Sequence, residues 1–183
     1  MLSGPTAFTD LGDLLLAAVA ARLRDNGLDV PGRIAVVPSP IVADDCQCGL
    51  LAVAVPRIYG SDIALQDPGG GGVAAGPGAG TPYPADEVPS FLNGELQVAV
   101  MRCTDIPPDG TPTAETLARE AIEVHADAYW VQVAVSCELA RLTRIGEIID
   151  YALGDQPFIP NQGGCQGGQY NVTVAVNATC PCP

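Results

Sequence analysis

The side chains in this 183-residue chain best able to do chemistry are thiols and carboxylates. In DDCQCGLLAVAV (44–55), Asp44 and Asp45 precede Cys46 and Cys48, and a second Cys-x-Cys pair, Cys180 and Cys182, lies near the other end. Two such pairs allow a four-thiolate metal site, although structural zinc usually takes its thiolates from Cys-x2-4-Cys knuckles. They also allow disulfides. A third reading is plain packing, because alternate residues of a strand point to one face and a thiol packs as a small hydrophobe. Seven cysteines (46, 48, 103, 137, 165, 180 and 182) cannot all pair within one chain. Cys103 and Cys137 fall inside apolar strand and helix patterns, so the favoured reading is unlinked thiols in a reducing compartment, with no bound metal. Asp44 and Asp45 read as solvated turn acids.

Hydrolytic or transfer chemistry needs a base beside a nucleophile. The single histidine, His125, lies in a helical pattern between Val124 and Asp127, where it reads as structural. The chain has no Gly-x-Ser-x-Gly elbow and no His-Glu-x-x-His, and the glycine run at 69–72 lacks a following Gly-Lys-Ser/Thr. The expectation is a protein that is not an enzyme and carries no cofactor. Its formal charge of −13 comes from 21 carboxylates against eight cations, all arginine, so phosphate backbones should be repelled.

The elements that position these residues follow from periodicity. LLLAAVAA (14–21) has acids before it and arginines after it, the reverse of a signal peptide, and no apolar stretch approaches the roughly 18 residues of a membrane span. Secretion and membrane insertion are therefore not expected, and the Asn171 and Asn177 sequons read as chance. The segment from Phe8 to Gly27 reads as a helix capped by Thr9 or Asp10, with Leu11, Leu14, Leu15, Val19 and Leu23 on one face. Strands are predicted at 33–38, 49–59 and 94–104, with Pro56 marking an edge or bulge. Between Asp67 and Pro89, seven glycines and five prolines predict a long exposed loop, an insertion at about 60–90.

Thr113 is the expected N-cap of a long helix running to about Arg144, roughly 45 Å at 1.5 Å per residue. Its stripe is Leu117, Ala121, Val124, Ala128, Val131, Val135, Leu139 and Leu142, and from Ala128 onward it is apolar almost all round. A Gly-rich turn at 163–168 leads into a last strand, in which Tyr170, Val172, Val174 and Val176 alternate with polar and small residues. The order is α-β-β-loop-β-α-β. The expected fold is one α+β domain over 1–183, a four-stranded, mostly antiparallel sheet with two helices on one face.

Four segments, PSPIVADDCQCGLLAVAVPRIYGS, ELQVAVMRCTDIPPDGTPTAETLAREA, DAYWVQVAVSCELA and GGCQGGQYNVTVAV, together resemble the tail-terminator proteins of long-tailed phages that infect actinobacteria. The resemblance covers most of the chain from about Pro38, and the loop at 67–89 is longer than the family pattern. A lysine-free, alanine-rich composition agrees with a GC-rich genome. The resemblance implies a virion protein, assembled in the host cytoplasm, that forms a hexameric ring at the neck. That ring would cap the tail tube, end its polymerisation and join it to head-tail stopper or connector proteins. Its partners would be further copies of itself and the major tail tube protein, with DNA passing through unbound and no membrane involved. Another neck component, a connector or stopper, is the alternative. A ring interface is heterologous, and its candidates are Trp130, Val131, Val135 and Leu139 of the long helix, or an edge strand.

Overall fold

A computed structural model describes residues 2, 4, 6–37, 41, 49–65, 89–104, 110–162 and 164–178. The element order is α1 (Ala7–Asp25), β1 (Arg33–Val37), β2 (Leu50–Ser61), β3 (Phe91–Cys103), α2 (Ala114–Arg144), β4 (Asp150–Leu153), β5 (Phe158–Gln162) and β6 (Cys165–Asn177). The class is α+β, with two helices on one face of a single sheet.

Among the described residues the sheet has six strands rather than four, and it is mixed, with one parallel pairing beside four antiparallel ones. Its order is β1-β2-β3-β6-β4, and β5 also pairs with β6. β1 runs parallel to β2, from Arg33 opposite Leu50 to Val37 opposite Ala54. β3 and β6 form the longest ladder, thirteen antiparallel pairs from Phe91/Asn177 to Cys103/Cys165. β4 and β5 both lie along the far edge of β6, β4 opposite Val172 to Ala175 and β5 opposite Cys165 to Gly168. Both are short, and Pro157 and Pro160 remove donors from this edge, the usual sign of a strand that must not pair further.

Alternation along β2, β3 and β6 puts Leu51, Val53, Leu96, Val98, Val100, Tyr170, Val172, Val174 and Val176 on the helix-facing side, where they join α1 and α2 in one core. Two glycines on this face let the helices approach. A Cβ at Gly94 would sit 2.2 Å from the Phe8 ring of α1, and at Gly168 the nearest atom is the Ala128 Cβ of α2 at 3.6 Å. GGCQGG thus joins a turn, where Gly164 has φ +79°, to the start of β6, where Gly168 serves close packing. At Gly167 a Cβ would meet the Val100 carbonyl oxygen at 2.0 Å.

α1 begins before the expected cap, with Thr6 at the N-cap and its hydroxyl donating to Asp10 at 2.9 Å. α2 starts where expected, the Thr113 hydroxyl accepting from the Thr116 amide at 3.1 Å. β2 shifts register between Ala54 and Arg57, the bulge that Pro56 predicts. Residues 66–88, the glycine- and proline-rich insertion, lie outside the described residues, as do Asp44, Asp45, Cys46, Cys48, Cys180 and Cys182. Among the described residues no helix is long and apolar enough to cross a membrane.

Candidate functional site

The two helices divide the covered face of the sheet. α1 packs on β1 and β2, and α2 packs on β6 and β3 and reaches β4. The molecule thus has two unlike lateral sides, one built from α1 and β1 and the other from α2, β4 and β5.

α2 supplies most of the second side, and its first turns project beyond the core. Leu117 and Ala121, expected in the buried stripe, are exposed, and burial becomes continuous only from Asp127 and Ala128 through Val131, Ala134, Val135, Leu139 and Leu142. Val131, Val135 and Leu139 face the sheet and are consumed by the chain's own core, so they are not on the surface that a neighbour would touch. Trp130 is half-buried at the margin of the core, edge-on to Tyr129 with ring centroids 4.8 Å apart. Besides Leu117, the large apolar groups that α2 presents outward include Ile122, 70 % exposed, and Tyr129, 58 % exposed. Between them His125 packs edge-on against Phe158 of β5 at 5.1 Å, and Phe158 is itself 52 % exposed. His125 therefore helps to join strand and helix into one apolar patch through a ring contact, an apolar setting for an imidazole.

Further along the same outward surface lies Cys137, a solvent-exposed thiol, and Cys103 at the end of β3 is exposed as well. Neither behaves as the buried small hydrophobe expected from its apolar surroundings in sequence. The structure also overturns the reading of the cysteines as unlinked, because Cys165, fully buried beside Met101, is disulfide-bonded.

Where β3 ends under α2, Arg102 reaches across to Asp127. Its Nε and Nη2 donate to the two carboxylate oxygens at 2.5 and 2.7 Å, and Nη2 also donates to the Asp29 carbonyl at 2.8 Å. This fork ties strand, helix and the α1–β1 connection together. The hydrogen bond to Asp127 holds the guanidinium above its ordinary pKa, against the opposing effect of burial. A cleft of about 240 Å³ beside it is lined by Gly27, Leu28, Asp29, Arg102, Glu123 and Asp127. Three carboxylates against one committed guanidinium make this a structural clamp rather than an anion site.

On the sheet face away from the helices, a shallow groove of about 430 Å³ runs between β3, β6 and the β4 end, past Glu95, Gln97, Asp155, Asn171 and Thr173. Its floor is internally bonded. Gln169 donates to Asn171 at 2.7 Å, Asn171 to Asp155 at 2.6 Å, and Arg57 pairs with Glu95 at 3.1 Å. Among the described residues no group of three or more histidine, cysteine or acidic side chains is placed to hold a metal ion. No protein-family model matches the chain, and neither does any curated protein.

Proposed function

We propose that this chain is a structural subunit of a phage tail-terminator ring, which closes the tail tube and meets the neck proteins above it. Support comes from the segment resemblance and from one observation above all, the apolar patch of Ile122, Tyr129 and Phe158 on the α2/β5 side. Large apolar groups gathered on a surface rimmed by charge mark protein contacts. The opposite side carries its own exposed apolar group, Ile34 of β1, next to Arg33 in the same strand. On α2, Glu115, Arg119 and Glu123 are exposed as well. Two unlike lateral sides, each with exposed apolar groups, suit head-to-tail contact, which closes into a ring when the rotation permits. An interior lined by so acidic a chain would let DNA slide without gripping it.

Native mass spectrometry of the purified protein, alone and mixed with assembled tail tubes, tests this reading. Six copies, either free or on tube ends, are expected, and Tyr129→Asp and Ile122→Asp should leave a folded monomer that no longer associates. A chain that remains monomeric and ignores tubes would refute the proposal.

A further inference from the structure

Asparagine is followed by glycine twice in this chain, at Asn26-Gly27 and at Asn93-Gly94. The dipeptide has a chemistry of its own. A backbone nitrogen that comes within bonding reach of the preceding asparagine's Cγ attacks it, and glycine, with no Cβ, hinders that approach least. The attack requires the backbone to turn about ψ of the asparagine, so the fold decides which of the two pairs can react.

Asn93-Gly94 is locked. Asn93 is fully buried in β3, opposite Tyr59 of β2 and Ala175 of β6, and its Oδ1 accepts from the Leu65 amide at 2.9 Å. Gly94 is fixed between Ile58 and Val174, with the Phe8 ring against it. Turning ψ of Asn93 would break two ladders at once. Asn26-Gly27 lies instead where α1 ends, and both residues are exposed. Gly27 has φ +71°, and a Cβ built there would meet nothing within 4 Å. Asn26 has φ −104° and ψ 14°, its backbone amide donates to the Leu23 carbonyl at 3.1 Å, and its Nδ2 donates to the Arg22 carbonyl at 2.8 Å. The Gly27 amide donates to the Arg24 carbonyl at 3.0 Å. These bonds belong to the last turn of a helix, the part that opens at least cost.

We infer that Asn26 is a site of spontaneous deamidation, which converts the C-cap of α1 from an amide to a carboxylate as the protein ages, and that Asn93 is spared. When the last turn opens, the Gly27 nitrogen bonds to Asn26 Cγ. The side-chain nitrogen leaves as ammonia, taking the Gly27 proton with it, and a cyclic imide remains. Water then opens the imide at either carbonyl, a C–O bond forming as a C–N bond breaks. The products are aspartate and, where the main chain now runs through the side-chain carbonyl, isoaspartate. Water is consumed and ammonia released, so the step needs no oxidant or reductant. Neither product keeps the donor to the Arg22 carbonyl, and each puts a carboxylate at the negative end of the α1 dipole, in sequence between Asp25 and Asp29. The change reaches the clamp as well. Arg102 donates to the Asp29 carbonyl at 2.8 Å, and an isoaspartate lengthens the main chain between α1 and that carbonyl by a methylene.

Peptide mapping reads both sites, because cleavage after arginine places Asn26 in peptide 25–33 and Asn93 in peptide 58–102, each as the only asparagine of its peptide. The full chain is incubated folded in warm, mildly alkaline buffer. Samples withdrawn over time are stopped in acid and digested with trypsin beside an unaged sample, whose conversion gives the background from digestion. Tandem mass spectrometry should find the aspartate and isoaspartate forms of 25–33 accumulating at least about tenfold faster than those of 58–102. A digest of Asn26→Asp identifies the aspartate form by its elution. The same chain incubated unfolded in guanidinium should convert both sites at similar rates, since neither Asn-Gly pair is then held. Equal rates at the two sites in the folded protein would overturn the inference. So would an Asn26 that keeps its amide in the folded chain while the unfolded chain loses it.

Discussion

Replacing Arg102 with leucine should be among the more damaging single changes in the chain, although it adds an apolar residue to a protein interior. The Asp127 side chain is 4 % exposed and that of Arg102 19 %. Breaking a buried pair by removing one partner costs about 3–5 kcal/mol, because the remaining charge is left without compensation. Arg102→Leu strands the more buried charge and also deprives the Asp29 carbonyl of its donor, so its cost should fall within that range. Asp127→Leu is milder, at about 2–3 kcal/mol, since the guanidinium keeps the Asp29 bond and its partial exposure admits water. The double variant, with no charge at either position, should come within about 1.5 kcal/mol of the parent, as apolar replacements of buried ion pairs often do.

Urea unfolding followed by circular dichroism, at one fixed protein concentration, measures this cycle. In a domain of this size each kcal/mol moves the melting temperature by about 2–4 °C, so Arg102→Leu should melt roughly 6–20 °C lower. The ordering matters more than any single value. A loss below about 1 kcal/mol for Arg102→Leu, or a double variant less stable than both singles, would refute the clamp as drawn.

The close approaches give a second test. Gly167→Ala drives a Cβ against a backbone oxygen at 2.0 Å and should cost more than Gly94→Ala, where the obstacle is the Phe8 side chain; overpacking of the second kind typically costs about 1–3 kcal/mol, read as a shift in the urea midpoint. Val135→Asp should abolish soluble folding, whereas Tyr129→Asp should leave the circular dichroism spectrum and melting temperature of the chain nearly unchanged, because the first is fully buried and the second faces water. Thr113→Ala removes the side-chain cap of α2 and should lower stability by about 1 kcal/mol in the same assay.

Periodicity made much of this fold legible before any coordinates. The cap at Thr113, the bulge at Pro56 and the alternating core of β6 are local signals, each written within a few residues. β4 and β5 escaped because DYAL is only four residues long and FIPNQ carries a proline; edge strands that must not pair further are selected to look unlike strands. The parallel pairing of β1 and β2 escaped for another reason, since strand direction depends on the path of the connection and not on the composition of either strand. The clamp could not be read either. Arg102 and Asp127 are 25 residues apart, and nothing in their local sequence says that the charged end of an apolar strand will meet this one of the acids on α2. The same holds for Cys103 and Cys165, which become neighbours only once the thirteen-pair register is fixed.

α2 shows why an apolar-all-round helix cannot by itself identify an interface. Its sequence from Ala128 onward offers apolar groups to every direction, and the sheet takes the stripe that includes Val131, Val135 and Leu139 because those residues repeat at the spacing that best covers β6 and β3. What remains outward is the complementary set at Ile122, Ala126, Tyr129 and Val133, which advances by the same steps of three and four. A helix with a second stripe of this kind keeps apolar area in water that a partner would remove, and burial is worth about 25 cal/mol per Å². Under the proposed ring reading, substitutions on the two stripes should therefore separate: those facing the sheet change unfolding at any protein concentration, and those facing outward change only the concentration at which copies associate. Equal effects of Tyr129→Asp and Val135→Asp on the stability of the isolated chain would show that α2 has one functional face and not two.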